Sequence, residues 1–266
     1  MIDTAPDHDD ILRLAAPNPG PMTLDGTNTY VVGRDPAYVI DPGPAVESHA
    51  EAVRAAAGER GGLAGALLTH SHADHSAGVS LLGAPLLWGE VSDLDEGAVL
   101  SRPHPAYSGQ DSSGIGGEVG PFEVIPTPGH AADHVCFAIG EVVFCGDLVL
   151  GRGSSIVPPA AMGGSLAEYM ASLERLLALE ADLLCPGHGP WITDPQAKLE
   201  EYLAHRRERE AKLVAALEAG ERDGEKLLDA AWDDVPAPMR PAAMLAMEAH
   251  LEKLGGEGRL PPGVAD

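Results

Sequence analysis

A chain of 266 residues has room for one large domain or for one domain with a small addition, and its hydrophobic content of 44% is typical of a globular protein. Its formal net charge of −24 disfavours binding to phosphate backbones and anionic membranes, because an acidic surface repels both. No apolar run is long enough for a membrane span, and the acidic start MIDTAPDHDD does not resemble a secretory signal. We therefore expect a cytoplasmic protein with no membrane partner.

The negative charge is concentrated in the first 195 residues. They hold seven Lys and Arg against 26 Asp and Glu, a net charge of −19, whereas residues 196–266 hold ten against 15, a net charge of −5. Double-stranded nucleic acid is therefore disfavoured as a partner, although the more basic end leaves local binding open.

The predicted elements alternate between apolar strands and loops rich in Gly or Pro. In chain order, NTYVVG and YVIDPG are predicted strands, ESHAEAVRAAAGERGG is a helix, and LAGALLTH is a buried strand. FEVIPTPGH is another strand, HVCFAIGEVVFCGDLVL is a hairpin, and DLLCPGHGP is a strand that leads into a histidine loop. Before that last strand, Ser165 and Glu168 form a capping box at the start of an amphipathic helix.

The sequence changes character near residue 195. A long charged helix is predicted to run to about Ala219, and EKLLDAAW and PAAMLAMEAHLEKLGGEGRL are two further helical stretches. We therefore predict an α/β domain over residues 1–195 and a small helical domain over 196–266.

Four side chains that can bind metal follow the strand LAGALLTH within six residues: His70, His72, Asp74 and His75. Burying so many imidazoles and a carboxylate without a cation is costly. Three distant loops repeat the chemistry, with His130 in TPGH, Asp147 in CGD and His188 in PGHG. Five histidines and two carboxylates are enough to ligate two zinc ions, each with an open position for water.

This ordered set resembles the HxHxDH, His, Asp, His pattern of the metallo-β-lactamase superfamily. The resemblance implies a four-layer αβ/βα sandwich with the metals at the edge between its two sheets. It implies that His70, His72 and His130 hold one zinc ion, that Asp74, His75 and His188 hold the other, and that Asp147 bridges both. No organic cofactor is indicated.

Two zinc ions can share a water and generate hydroxide at neutral pH, so hydrolysis of an ester, thioester or phosphodiester is the expected reaction. Asp74 is a catalytic candidate, because it can also accept a hydrogen bond from the nucleophile. His134, four residues after His130, is the second: it either donates a proton to the leaving group or orients His130, and the alternative is a histidine that only caps its loop.

The chain further resembles the group called β-lactamase-like protein 2. NPGPMTLDGTNTYVVG is similar to the N-terminal signature of that group, and TPGHAADHVCF contains its GHxxDH pattern with Asp133 and His134. The segment from His205 to Leu260 is similar to the group's C-terminal winged-helix-like domain. The presence of Asp147 argues against a true zinc β-lactamase, since those enzymes lack this bridging residue.

The resemblance leaves the substrate open. Members of the group include an endoribonuclease on single-stranded RNA, and relatives in polyketide pathways are acyl thioesterases on carrier proteins. Aromatic residues make up only 4% of the chain, and this with the acidic catalytic portion disfavours RNA. In a third alternative, from another class, the winged-helix-like tail makes the protein a nucleic-acid-binding regulator. We expect the tail instead to pack on the catalytic domain, cover one side of the cleft or mediate dimerisation.

Other polar features receive structural interpretations. Cys136, Cys145 and Cys185 lie in apolar contexts and are predicted to be buried free thiols. Asn28 and Asp41 are predicted to fix the backbone of their loops. Two sets are predicted to lie on the surface, five histidines and a basic run: His8, His49, His104, His205 and His250, and Arg206, Arg207, Arg209 and Lys212. The Gly/Ser-rich region 101–120 is a candidate substrate lid.

Overall fold

The computed structural model describes residues 2–91, 100–101 and 117–264, which form two compact units. Unit 1 comprises Met1–Pro126, Asp133–Gly153 and Ala181–Pro195. Unit 2 comprises Thr127–Ala132, Ser154–Glu180 and Gln196–Asp266. The boundary predicted at residue 195 stays a prediction. Most of the candidate lid, including His104, lies outside the described residues.

Unit 1 contains the strands. The six-stranded sheet has its strands in sequence order. They are β1 (Ile2–Ala5), β2 (His8–Ala15), β3 (Asn28–Val32), β4 (Ala37–Ile40), β5 (Leu63–Leu67) and β6 (Leu86–Trp88). Three helices belong to the same unit: α1 (Glu47–Gly58), α2 (Ala73–Ser76) and α3 (Val79–Leu82).

The second sheet of unit 1 has five strands in the order β13-β12-β11-β10-β9. Their bounds are β9 (Gly117–Val119), β10 (Phe122–Pro126), β11 (Val135–Ile139), β12 (Val142–Gly146) and β13 (Leu183–Pro186). Two short strands, β7 (Glu90–Val91) and β8 (Leu100–Ser101), pair separately. The strands and the hairpin predicted from the sequence are therefore confirmed.

Apolar side chains on both faces of β3 explain why this strand is buried throughout. Tyr30 and Val32 join a core that also contains Phe122, Phe137 and Phe144 of the five-stranded sheet, so the two sheets pack against each other. Val31 points to the opposite face, where a second core contains Val53 of α1. Fully burying one such side chain contributes about 1.5–3 kcal/mol.

Two parallel strand pairs position the functional loops. β4 pairs in parallel with β5, so the chain leaves both strands at one edge of the first sheet, at Asp41 and just before His70. β12 pairs in parallel with β13, so Asp147 and His188 follow neighbouring strand ends of the second sheet. Loops at the carboxyl ends of strands commonly carry functional residues.

Unit 2 is helical in the part of the chain that the structure describes. Its α-helices are α4 (Leu166–Leu177), α5 (Pro195–Glu218), which begins one residue before the unit, α6 (Gly224–Ala231) and α7 (Arg240–Gly256), and two 3-10 turns cover Ala160–Met162 and Ala237–Met239. Ser165 caps α4 by accepting a hydrogen bond from the Glu168 amide, which confirms one half of the predicted capping box; the Ser165 amide donates to the Gly129 carbonyl oxygen instead of to Glu168. Leu213, Leu227 and Met247 are buried together in the core of its last three helices. Residues 196–264 contain no strand, so the winged-helix-like prediction is unconfirmed.

Candidate metal centre

The segment from Leu68 to Ser76 brings the first four predicted ligands to the edge of the six-stranded sheet. The backbone leaves β5 after Leu67, and the short helix α2 begins at Ala73 with His72 as its N-cap residue. The amide of His75 donates to the His72 carbonyl oxygen at 2.9 Å, which closes this turn. His70 and His75 are buried, whereas His72 is exposed. The metal-binding side chains that follow β5 and those on α2 therefore lie close together at this edge of the sheet.

Asp74, His75, His188 and Asp147 form a tight group in unit 1. Nε2 of His188 lies 3.3 Å from Asp74 Oδ2, 3.4 Å from Asp147 Oδ2 and 3.3 Å from His75 Nε2. Nε2 of His75 lies 3.4 Å from Asp74 Oδ2 and 3.5 Å from Asp147 Oδ1. Two imidazole nitrogens and two carboxylates therefore converge on one small volume.

His70 and His72 extend this group. Nε2 of His70 lies 3.0 Å from Nδ1 of His72, and the His70 ring centroid is 4.3 Å from that of His75. Donor atoms of His70, His75 and Asp147 all lie within 4.8 Å of one another, as do those of Asp74, His75 and His188. Six of the seven predicted ligands are thus brought together in unit 1.

The seventh predicted ligand, His130, belongs to unit 2. Its Nδ1 donates a hydrogen bond of 2.7 Å to the Ile156 carbonyl oxygen and lies 3.3 Å from Ser155 Oγ. With the hydrogen on Nδ1, the lone pair of the ring is on Nε2, the form in which an imidazole binds metal. Its role as a ligand stays a prediction from the sequence.

Asp41 is the functional residue whose role the sequence analysis missed. This buried carboxylate accepts hydrogen bonds from Thr69 N at 2.8 Å, from Thr69 Oγ1 at 2.7 Å and from His75 Nδ1 at 2.9 Å. Asp41 was predicted only to fix backbone. It binds the Thr69 amide and also holds the His75 ring in place. The only signal in the sequence was an aspartate directly after a buried strand, in YVIDPG.

The hydrogen bonds of His75 and His188 show that the group fits a cation. His75 Nδ1 donates to Asp41, and His188 Nδ1 donates to the Gly26 carbonyl oxygen at 3.3 Å. With both Nδ1 atoms protonated, the neutral rings direct the lone pairs of Nε2 at each other across 3.3 Å. Only a cation or an added proton makes that contact favourable. Nitrogen and carboxylate donors at this spacing suit a divalent transition metal.

The protonation equilibria agree with a site built around positive charge. Burial opposes a charged His75 ring, but Asp147 and Asp41 outweigh it and raise the pKa of His75 well above its ordinary value. Burial acts in the same way on His188, and Asp147 and Asp74 nevertheless raise the pKa of His188 to about 9. Burial would raise the pKa of Asp147, yet His188 and His75 hold it well below its ordinary value. A metal ion held by these residues would therefore take the place of protons on the rings of His75 and His188.

Gly187 shows how little space the group leaves. A β-carbon at this position would lie 2.3 Å from Asp147 Oδ1 and 2.7 Å from His75 Cε1. Any side chain would therefore displace Asp147 and His75, which explains why the first glycine of the CPGHG loop stands at position 187.

The remaining candidates lie around the group with distinct roles. His134 is buried, and its ring centroid is 5.1 Å from that of His70. Asp133 accepts a hydrogen bond of 2.8 Å from the Ser71 amide. Asn28 donates to the Pro186 and Gly189 carbonyl oxygens, which fixes the backbone around His188, as predicted. All three cysteines are free and buried, also as predicted.

Two histidines that were predicted to lie on the surface are buried instead. His49 is 5% exposed, with Nε2 2.8 Å from Thr29 Oγ1, and His250 is fully buried. The surface prediction is therefore wrong for both, because their neighbours, Thr29 beside His49 and Trp232 beside His250, come from other parts of the chain.

The basic run on α5 is also partly buried. Arg206 and Arg209 are 3% and 6% exposed, so the interpretation of the run as a solvated face is wrong for these two. Backbone carbonyl oxygens accept hydrogen bonds from both guanidinium groups, and an aromatic ring lies beside each. In the same run, Arg207 is exposed and Lys212 is half-buried.

Known proteins resemble this chain in sequence and in fold. The family model of the metallo-beta-lactamase superfamily matches residues 22–188. A metallo-beta-lactamase family protein from Thermus thermophilus has a similar structure, with a TM-score of 0.69 at 24% identity over 94% of each chain. The family model and the fold thus define the class, a hydrolase fold of the α/β type, and its His/Asp groups could hold a metal ion.

The chain belongs to the metallo-β-lactamase superfamily, a family of hydrolases. The Drosophila melanogaster protein named beta-lactamase-like protein 2 homolog is 32% identical to it, over 94% of this chain and 89% of its own length. The atrochrysone carboxyl ACP thioesterase of Aspergillus fumigatus is 31% identical, over 96% of this chain and 76% of its own length. No helix within the described residues has the length and apolar character that crossing a membrane requires.

Proposed function

We propose that the protein is a hydrolase with two zinc ions and that its substrate is an acyl thioester. The observation that carries the metal is the convergence of the His75 and His188 Nε2 atoms with Asp74 and Asp147 at 3.3–3.5 Å. In the ligand sets that the family pattern assigns, His70, His72 and His130 hold one ion, Asp74, His75 and His188 hold the other, and Asp147 is shared. Zinc bound there would supply a water activated at neutral pH and would polarise the bond to be cleaved.

Asp74 is the carboxylate best placed to act on the reacting water. Its side chain is 30% exposed, against 12% for Asp147 and 2% for Asp41. Thr27 Oγ1 donates to Asp74 Oδ2 at 3.3 Å and so orients it. A partly exposed carboxylate with one oriented oxygen can accept a proton from the attacking nucleophile.

His134 has two proposed roles, and its burial supports one of them. The ring is 1% exposed and lies beside His70, and a β-carbon on Gly146 would come within 2.8 Å of His134 Nε2. A ring so enclosed is better suited to fixing the orientation of neighbouring imidazoles than to donating a proton to a leaving group.

The charge distribution and one relative support the thioester. Residues 1–195 carry a net charge of −19, and an acyl thioester needs no basic groove. The Aspergillus fumigatus relative that covers 96% of this chain is named as a thioesterase on an acyl carrier protein. Single-stranded RNA, cleaved as a phosphodiester, is the second candidate, because other metal centres of this kind act on phosphorus.

The burial of Arg206 and Arg209 counts against the alternative of a nucleic-acid-binding regulator. Guanidinium groups that are 3% and 6% exposed cannot reach a phosphate backbone without rearrangement. Dimerisation through the helical tail remains a prediction, which light scattering after gel filtration will test.

Turnover of a substrate panel tests the proposed function. The zinc-loaded protein and its His72→Ala variant are compared on an acyl-CoA thioester, S-lactoylglutathione, a single-stranded RNA oligomer and a cephalosporin. We expect thioester hydrolysis that the variant loses. RNA cleavage lost in the variant, with intact thioester, would replace the thioesterase proposal by the nuclease. If the protein binds no zinc when zinc is supplied and turns over none of the four substrates, the proposal of a metal-dependent hydrolase is itself refuted.

A further inference from the structure

Arg206 on α5 is a buried cation whose partners are not carboxylates. The residue is 3% exposed, and its Nη2 donates a hydrogen bond to the Ser155 carbonyl oxygen. Its guanidinium carbon lies 5.1 Å from the centroid of the Tyr169 ring. Its Nε has no hydrogen-bond partner among the residues that the structure describes. Burying such a charge is costly, so the contact with Ser155 must serve a purpose that an apolar side chain would not.

The segment that Arg206 holds is the one that orients His130. Residues 154–159 form neither helix nor strand, so no ladder of backbone hydrogen bonds fixes their carbonyl groups. The Ile156 carbonyl oxygen nevertheless accepts the 2.7 Å hydrogen bond from His130 Nδ1. Ser155 Oγ lies 3.3 Å from His130 Nδ1. The Ser155 carbonyl lies in the rigid peptide plane that ends at the Ile156 Cα, so a clamp on it fixes that plane and leaves only the φ and ψ of Ile156 to move the Ile156 carbonyl.

We propose that Arg206 is a positioning residue for the metal ligand His130. By holding the Ser155 carbonyl, Arg206 restrains the segment that carries the Ile156 carbonyl, which keeps the hydrogen of His130 on Nδ1 and leaves the lone pair of Nε2 free for a metal ion. An arginine suits this task because its guanidinium stays charged at every physiological pH and offers several donors in one plane. The inference rests on the proposed function, in which His130 is a zinc ligand.

Arg209 provides a matched control from the same helix. It is 6% exposed, donates to the Ala231 carbonyl oxygen at 2.6 Å and pairs with Asp234 at 2.7 Å. Its contacts lie within the helical part of unit 2, and none of them is with residues 154–156 or with His130. Arg206→Met and Arg209→Met therefore remove the same chemical group from the same helix, but only the first removes the clamp.

Metal binding tests the inference without reference to turnover. Zinc content is measured after dialysis against a graded chelator, and the visible spectrum of the cobalt-substituted protein reports the ligands. We expect Arg206→Met to bind one of its two ions about 10-fold more weakly and to alter the cobalt spectrum; this is the lower end of the effect of direct hydrogen-bond partners of metal ligands, because Arg206 acts through Ser155. We expect Arg209→Met to lower the melting temperature but to keep both ions and the spectrum. Arg206→Lys, which retains the charge and a donor, should recover part of the affinity.

The exchange rate of the His130 Nδ1 proton in the metal-free protein provides a second readout. It is followed by proton NMR and assigned with His130→Ala. We expect faster exchange in Arg206→Met and not in Arg209→Met. Unchanged zinc affinity, cobalt spectrum and exchange in a folded Arg206→Met or Arg206→Lys protein would overturn the inference alone. A wild-type protein that binds no zinc would overturn it together with the proposed function.

Discussion

Buried histidines in the two units of this protein have opposite electrostatic surroundings. In unit 1, burial opposes the charged form of His188, but carboxylates outweigh it and raise its pKa to about 9. In unit 2, burial lowers the pKa of His250 to about 3, and the nearby Arg206, Lys253, His205 and Arg209 act in the same direction. Burial is thus common to both, and the presence of Asp74 and Asp147 makes the difference. A histidine built for a cation is recognised by the carboxylates around it rather than by its depth.

Removing a carboxylate should produce the largest effect, because it makes the cluster histidines resemble His250. In Asp147→Asn we expect roughly 10²- to 10⁴-fold weaker zinc binding, since loss of one partner from a buried charge group costs about 3–5 kcal/mol. Chelator competition measures the affinity. Glu123→Gln removes an exposed carboxylate of β10 and serves as the control. Equal affinity in Asp147→Asn and in the control would show that Asp147 is not a ligand.

Asp41→Asn should have an intermediate effect, because Asp41 contacts the predicted ligand His75 and is not itself a predicted ligand. The amide can still accept from Thr69, but it no longer offers a charged partner for His75 Nδ1. We expect zinc affinity to fall about 10–100-fold while the stoichiometry at saturating zinc stays the same. Isothermal titration with zinc measures both quantities, and a loss of stoichiometry would mean that Asp41 holds more than one ring.

Acid should destabilise unit 2 through His250. Its pKa is about 3 in the folded protein, below the ordinary value of 6.5, so the unfolded state binds more protons between these values. The stability that comes from the neutral ring is present above pH 6.5 and is lost as the pH falls towards 3. Between pH 7 and 5 we expect a loss of about 2 kcal/mol from this residue.

Urea unfolding of the wild type and of His250→Phe at pH 7 and pH 5 measures this effect. The variant keeps a ring beside Trp232 but cannot titrate, so its stability should depend less on pH by that amount. The same pH dependence in both proteins would show that His250 does not titrate on unfolding.

The smallest expected effect comes from a change in unit 2 that involves no titrating group. Ser165→Ala removes the side-chain cap of α4 and should cost about 1 kcal/mol. Because the hydroxyl stays neutral, the cost should be equal at pH 7 and pH 5, and zinc binding should not change. Thermal unfolding at the two pH values checks this, with Ser165→Asn as the variant that restores the cap. A cost that depends on pH would point to an indirect effect on a titrating neighbour.

The sequence predicted the features of this molecule that depend on local pattern. The strands, their Gly and Pro loops and the HxHxDH motif are legible because each signal lies within a few residues. The alternating strand HDDILRLA, which became β2, was not assigned, since acidic residues mask its period.

Features that depend on distant partners were not predictable from one sequence. Asp41 receives its role from Thr69 and His75, which lie 28 and 34 residues away. The carbonyl groups that accept hydrogen bonds from the buried Arg206 and Arg209 lie 51 and 22 residues away in the sequence. The surroundings of these two residues could therefore not be inferred from the charged helix. Every residue has a backbone carbonyl group, so a sequence does not show which of them accepts a hydrogen bond from a side chain. A buried polar side chain with such a partner therefore looks like an exposed one in the sequence.

The three cysteines have a practical consequence. They are the only ones in the chain, and all are buried; burial also raises the pKa of Cys145 and Cys185 well above the ordinary value, which keeps these thiols protonated and unreactive. The native cysteines of the folded protein should therefore not react with thiol-directed labels. A cysteine introduced at an exposed site, such as Arg152→Cys beside the CPGHG loop, would carry a single fluorophore or spin label without removal of the native thiols. Events at the metal centre could then be followed from one known position.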